Sequence, residues 1–257
     1  MTGTKNRLKQ ILGGGRVAFG TVLYAFSPAL VEVAGLAGLS WCRIDNEHTW
    51  RQDHHTESLL RAAANVGVTA LLRVDKGDLN LVRKGLEAGA GGIIVPHISS
   101  AREAREIVRA AKFPPLGDRG YGSLCFSGGW GLRGGVDWMT WSNEETLVIP
   151  MIEDVEAVRN VEAIIGVDGV DGVLFGGSDY SVSLGLPPQP DHPDVVEGLR
   201  KTVEAADEVG KFVLCTAGHP WIEDAGRLIN LGVKGIELGH DVSILGKVWS
   251  DAAKHFG

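Results

Sequence analysis

The sequence predicts an α/β protein, a single (β/α)8 barrel spanning residues 1–257. Three observations predict it. Eight short apolar, β-branched runs alternate with eight helix-period segments, at about 25–35 residues per unit. The chain is 257 residues long, which matches one barrel of about 250 residues and leaves none for a second domain. Polar side chains crowd the C-terminal ends of the runs, while the N-terminal ends are bland.

The strand candidates, in order, are Val17–Leu23, Trp41–Asp45, Thr69–Val74, Gly92–His97, Leu147–Glu153, Gly172–Ser178, Phe212–Thr216 and Gly235–Gly239. Each is almost continuously apolar, as a parallel strand covered on both faces should be. Helices are expected to start near Pro28, Thr56, Asn80, Ala101, Val155, Asp194, Pro220 and Asp241. Ser27 before Pro28, and Ser100 three residues before Glu103, are start signals. Gly89 and Gly210 are stop signals. An open doubly wound sheet would use fewer strands. The one early glycine cluster, Gly13-Gly14-Gly15, precedes the first strand, so no dinucleotide fingerprint is present.

Composition narrows the function. Hydrophobic residues make up 44% and charged residues 22%, enough to build a full core. The net charge of −7 argues against nucleic acid as a partner. No apolar run approaches the roughly 18 residues that a membrane span needs. The basic N-terminus lacks a following apolar stretch, so a cytoplasmic protein is expected. Cys42, Cys125 and Cys215 are widely spaced and read as reduced thiols.

One connection breaks the rhythm. Pro114 to Glu145 carries eight glycines with Trp130, Trp138 and Trp141. A loop this long reads as facing a substrate or a subunit, or as a packed excursion anchored by its tryptophans.

The strand ends supply the candidate chemistry. Glu153 and Asp179 end neighbouring strands, and two carboxylates at one barrel mouth repel unless a proton or cation lies between them. Oxygen ligands of this kind suit a hard divalent ion; the alternative is that one pairs with Arg73 and the other caps a helix. Asp45 and His48 suggest an acid–base pair, with the carboxylate fixing the imidazole; His48 could equally be a solvated loop residue. Arg73 leaves an apolar strand and needs an anion, either a substrate carboxylate or an internal partner.

Six motifs, in order, carry a resemblance: Ile44-Asp45-Asn46-Glu47-His48, Leu72-Arg73, Val95-Pro96, Phe113-Pro114-Pro115-Leu116-Gly117-Asp118-Arg119-Gly120, Ile152-Glu153 and the run from Gly169 to Ser181 that contains Gly176-Gly177-Ser178-Asp179. Together they resemble the HpcH/HpaI aldolase family from about residue 17 to the C-terminus. The resemblance implies a metal-dependent class II aldolase that cleaves a 4-hydroxy-2-oxo acid to pyruvate, or a related 2-oxo acid, and an aldehyde. It implies that Glu153 and Asp179 bind Mg2+, with Mn2+ or Co2+ as alternatives. It implies that Arg73 contacts the pyruvate oxygens, that backbone groups at Gly177 and Ser178 hold the carboxylate, and that His48, assisted by Asp45, moves the proton through a water on the metal. It also implies a homo-oligomer, a hexamer built from dimers that exchange the last helix. The apolar residues at 242, 244, 245, 248 and 249 form a stripe consistent with that exchange.

Several positions depart from the family pattern. Met151 stands where glutamine is common, Gly177-Ser178 replaces Pro-Ala, Asp75 and His97 replace more apolar residues, and the loop Gly122–Gly135 follows its own pattern. Three rival functions follow. They are a Schiff-base aldolase using Lys76, a lyase acting on acyl-CoA or citryl substrates, and a non-catalytic barrel.

Overall fold

Parallel pairing closes eight strands into a ring in sequence order, in a computed structural model that describes residues 4–49 and 53–256. The strands are β1 (Ala18–Leu23), β2 (Trp41–Asp45), β3 (Thr69–Arg73), β4 (Gly92–Val95), β5 (Leu147–Ile152), β6 (Gly172–Phe175), β7 (Phe212–Thr216) and β8 (Gly235–His240). The expected barrel is therefore present, and each strand lies within a residue or a few of its apolar run. The fourth and sixth runs end early. Val95 closes β4, and Phe175 closes β6, because Pro96 and Gly176-Gly177 lead the chain out of the sheet.

The helices are α1 (Arg7–Gly13), α2 (Pro28–Leu36), α3 (Asp53–Val66), α4 (Leu79–Ala88), α5 (Ala101–Ala111), α6 (Gly135–Glu145), α7 (Val155–Arg159), α8 (Val161–Ile165), α9 (Gly177–Ser183), α10 (Pro193–Glu208), α11 (Trp221–Asn230) and α12 (Asp241–Phe256). Ser100 caps α5 as expected, accepting from the Glu103 N–H. Gly89 ends α4 in the left-handed conformation. No described helix is long and apolar enough to cross a membrane.

Two cores result. The larger lies between strands and outer helices and includes Ile44, Leu72, Val95, Ile107, Ile164 and Leu199. The smaller fills the barrel interior with Ala18, Trp41, Leu71, Ile94, Ile149, Met151, Leu174 and Leu214. Trp41 fits there because its register partner is Gly20, where a Cβ would lie 2.6 Å from the indole.

Helix α1, which the strand rhythm does not reveal, closes the N-terminal end. Leu8 is fully buried in the interior cluster, and its N–H donates to Thr69 Oγ1 at 3.1 Å. Asn6 caps α1 and ties it to the barrel floor through Gly91 O (2.8 Å) and Glu145 O (2.9 Å).

The long connection is only partly irregular. Its last eleven residues are α6, anchored by buried Trp138. Trp138 meets Phe113 edge-on, and the Arg119 guanidinium lies over both rings, 4.6 and 5.6 Å from their centroids. Trp130, in contrast, is 60% exposed. Cys42 and Cys215 are buried, and burial pushes both thiols up to about 12, so neither supplies a thiolate at neutral pH.

Truncating Leu8 to alanine removes the floor plug without touching the opposite end of the barrel. Unfolding in urea should show a loss of about 2–5 kcal/mol, with kinetic constants at the barrel mouth unchanged.

Candidate active site

The C-terminal mouth is organised by register. In a parallel sheet, register partners point to the same side. Asp45 of β2 is the partner of Arg73 of β3, and Thr216 of β7 is the partner of Glu237 of β8. All four are directed into the barrel, where they are joined by Arg43, two residues before Asp45. Arg43 forks onto Glu237, with Nε to Oε1 at 2.7 Å and Nη2 to Oε2 at 2.8 Å. Thr216 Oγ1 donates to the same carboxylate. Arg73 Nη2 pairs with Asp45, and its Nη1 lies 2.9 Å from Glu47 Oε2. Arg73 Nε is buried and has no hydrogen-bond partner among the described residues.

Burial works against the Asp45 carboxylate, but Arg73 first and then its bond from the His48 N–H and the charge of Arg43 outweigh it, so its pKa falls below the ordinary value. Glu153 behaves in the opposite way. It is 2% exposed, and desolvation raises its pKa, reinforced by the charges of Asp179 and Glu47 and opposed by His97. Glu153 Oε1 accepts the His97 N–H at 2.6 Å. Its Oε2 faces Gly176, where a Cβ would lie 2.9 Å away. Only glycine leaves room there for the carboxylate.

Gly177, Ser178 and Asp179 begin α9 instead of ending a strand. The first amides of a helix have no partners within it, and these residues line a cavity of about 510 Å³ together with Arg73, Tyr24, Met151, His48 and Thr216. Met151 meets Arg73 Nη1 through its sulfur at 3.8 Å.

The structure corrects two expectations. Asp45 does not face the His48 imidazole. Asp45 is fully buried inside the barrel with Arg73, and it accepts only the His48 backbone N–H, at 3.0 Å. The imidazole stands outward in the loop, where its nearest carboxylate is Glu47, 3.7 Å from Nε2. Lys76 is half exposed. Its ammonium donates to His97 O at 2.8 Å and lies 3.5 Å from Glu103, outside the cavity, so nothing desolvates it into a Schiff-base nucleophile.

Arg43, Glu47 and Glu237 complete the mouth and were absent from the candidates drawn from sequence. A signal existed: Arg43 and Asp45 are two residues apart on one strand, so whichever face holds one holds the other.

Among the described residues no three His, Cys, Asp or Glu side chains converge as a cage for a metal. An ion at this mouth would draw on the carboxylates of Glu153, buried and raised first by desolvation, and Asp179. That set fits a hard cation whose remaining positions are filled by water and substrate oxygens.

Comparison with known proteins puts this barrel among the carbon–carbon lyases of the aldolase type. The chain belongs to the HpcH/HpaI aldolase/citrate lyase family, whose model matches residues 19–247. It is 32% identical over 243 residues to a hydroxypyruvate/pyruvate aldolase of Cupriavidus necator, covering 93% of this chain and 88% of that protein. It is 31% identical over 254 residues to a 4-hydroxy-2-oxo-heptane-1,7-dioate aldolase of Shigella sonnei, covering 98% and 95%. Among solved structures, a family member from Burkholderia cenocepacia superposes with a TM-score of 0.91 at 30% identity, covering 98% of this chain and 99% of that one. A citrate synthase, SbnG, superposes with a TM-score of 0.87 at 29% identity over 98% and 97%.

The depressed Asp45 carboxyl fixes the sign of an acid effect. Its folded pKa lies below the unfolded value, so its contribution is complete above the ordinary carboxylate range and is lost as the pH falls through the folded value. Asp45→Asn should cost about 3–5 kcal/mol near neutral pH, because it leaves buried guanidiniums short of charge. Thermal melts from pH 7 down to 3 should show a shallower acid slope in the variant than in the wild type.

Proposed function

We propose that this cavity binds a 2-oxo acid against a divalent cation held by Glu153 and Asp179, and that the enzyme reversibly cleaves a 4-hydroxy-2-oxo acid to pyruvate or hydroxypyruvate and an aldehyde. The observation that carries the reading is Glu153, a buried carboxylate that packs against Gly176 and lies within the field of a second carboxylate, Asp179. The aldolase names of the relatives agree with this chemistry. When bound, such a cation acts as a Lewis acid that stabilises negative charge on the keto oxygen.

The chain's own groups supply the rest. Arg73 has a buried N–H with no acceptor among the described residues, and its guanidinium stabilises charge that grows on the oxo acid as the carbon–carbon bond breaks. The opening turn of α9, at Gly177 and Ser178, holds the carboxylate through backbone amides. His48 lines the cavity from a loop and takes the proton from the 4-hydroxyl, returning it in the condensation direction. Glu47, not Asp45, is the carboxylate placed to orient it.

The closing test is joint loss. Glu153→Ala should abolish both Mn2+ binding and retro-aldol turnover, with the fold retained by circular dichroism. Full turnover by the wild-type enzyme after exhaustive chelation is the result that excludes a role for a cation.

The assembly belongs to the same reading. Of α12 only Asp241 is buried; Val242, Val248, Trp249 and Phe256 are 47–87% exposed. Phe19 of β1, the strand paired with β8, is likewise 36% exposed. The stripe and Phe19 are covered together when two copies exchange α12. Trp249→Glu should convert an oligomer to monomers by light scattering at micromolar concentration, while a monomeric wild type would exclude the exchange.

A further inference from the structure

His97 stands between two groups of carboxylates. Two residues past the end of β4 the backbone enters the left-handed region, with φ 54° at His97. A non-glycine residue there is strained and must be held by its surroundings. The turn aims the His97 N–H at Glu153 Oε1, 2.6 Å away, and places ring Nδ1 3.2 Å from the same oxygen. The far ring nitrogen, Nε2, lies 3.5 Å from Glu47 Oε1, and the other Glu47 oxygen is the one beside Arg73. The His97 carbonyl is fixed in turn by the Lys76 ammonium.

This arrangement divides the labour of Glu153. One oxygen is pinned by His97. The other lies at Gly176, immediately before the turn that carries Asp179. Without the imidazole, only the backbone N–H holds that oxygen, and the carboxylate loses one of its two restraints.

We propose that His97 is a positioning residue, which sets Glu153 for the cation and links that carboxylate through Glu47 to the guanidinium of Arg73. The proposal rests on the cation reading given above. Outer partners of metal-ligating side chains typically change metal affinity by about 10–100-fold when removed.

The test is calorimetric titration of the full-length protein with Mn2+ alone, using wild type, His97→Asn, Glu47→Gln and the double variant. Asparagine tolerates the left-handed backbone and keeps the N–H bond, so it removes only the imidazole. His97→Asn should weaken the Mn2+ Kd by about 10–100-fold. Glu47→Gln should weaken it less, and the double variant should be no worse than His97→Asn, as expected for residues acting in one chain. In His97→Asn the Mn2+ concentration needed for half-maximal turnover should rise by the same factor as the Kd. A folded His97→Asn protein whose Kd is unchanged or tighter overturns the proposal. Should that variant fail to fold, Glu47→Gln decides: weaker binding supports the link and unchanged binding overturns it. Wild-type protein that binds no Mn2+ overturns the cation reading and the role of His97 together, whereas wild-type binding with unaffected variants overturns only the latter.

Discussion

The parallel register that places Asp45 beside Arg73 determines how the mouth of this barrel is built. Strand β2 projects Trp41, Arg43 and Asp45 inward in succession, and these three residues define three levels. The lowest is apolar and rests on Gly20 and the α1 plug. The middle is the fork of Arg43 on Glu237. The highest is the pair of Asp45 with Arg73, where the cavity begins. A slip of β3 by one residue against β2 would turn Arg73 outward into the helix layer and leave Asp45 buried without it, because side chains alternate with period two. Desolvating a single ion costs several kcal/mol, so these charges are tolerable only as a set.

The set also rigidifies the site. Arg43 and Thr216 both hold Glu237, and Asp45 takes bonds from Arg73 and from the His48 backbone. At the adjoining edge, Asp241 accepts the N–H groups of Tyr24 and Ala25, which closes the ring between β8 and β1. Four strand ends and the start of α12 are therefore fixed relative to one another before any substrate enters. A site built this way meets an incoming oxo acid with its donors already oriented, the condition under which electrostatic stabilisation requires little reorganisation.

The strand sequence carried the fold and much of the site. Continuous apolar runs mark parallel strands, and the polar residue that ends each run marks the mouth, so Asp45, Arg73 and Glu153 could be placed from residue type alone. Other features depend on information that a linear pattern lacks. Helix α1 is seven residues long with one fully buried side chain, too little periodicity to register. Helix α6 hides within glycine-rich sequence and is held mainly by Trp138. The pairing of Asp45 with Arg73 in place of His48 follows from strand register, and the closure of Arg43 on Glu237 joins residues 194 apart. His97 was visible as an unusual residue at its position, but its purpose depends on a backbone turn that sequence does not show.

Charge balance connects these details to chemistry. Asp45, Glu47, Glu153, Asp179 and Glu237 lie at one end of the barrel, where Arg43 and Arg73 pair with Asp45, Glu47 and Glu237 and where Arg227 and Lys247 line the same cavity. The raised pKa of Glu153 reflects its burial first and the charges of Asp179 and Glu47 after it. In the reading proposed above, a divalent cation would stabilise the ionised form of Glu153 and leave Arg73 and the α9 amides to meet the substrate. The guanidinium pairs offset the cost of burying Asp45 and Glu237, but among the described residues neither guanidinium pairs with Glu153, just past β5, or with Asp179, on α9. Those two carboxylates are therefore the pair that the proposed cation would join.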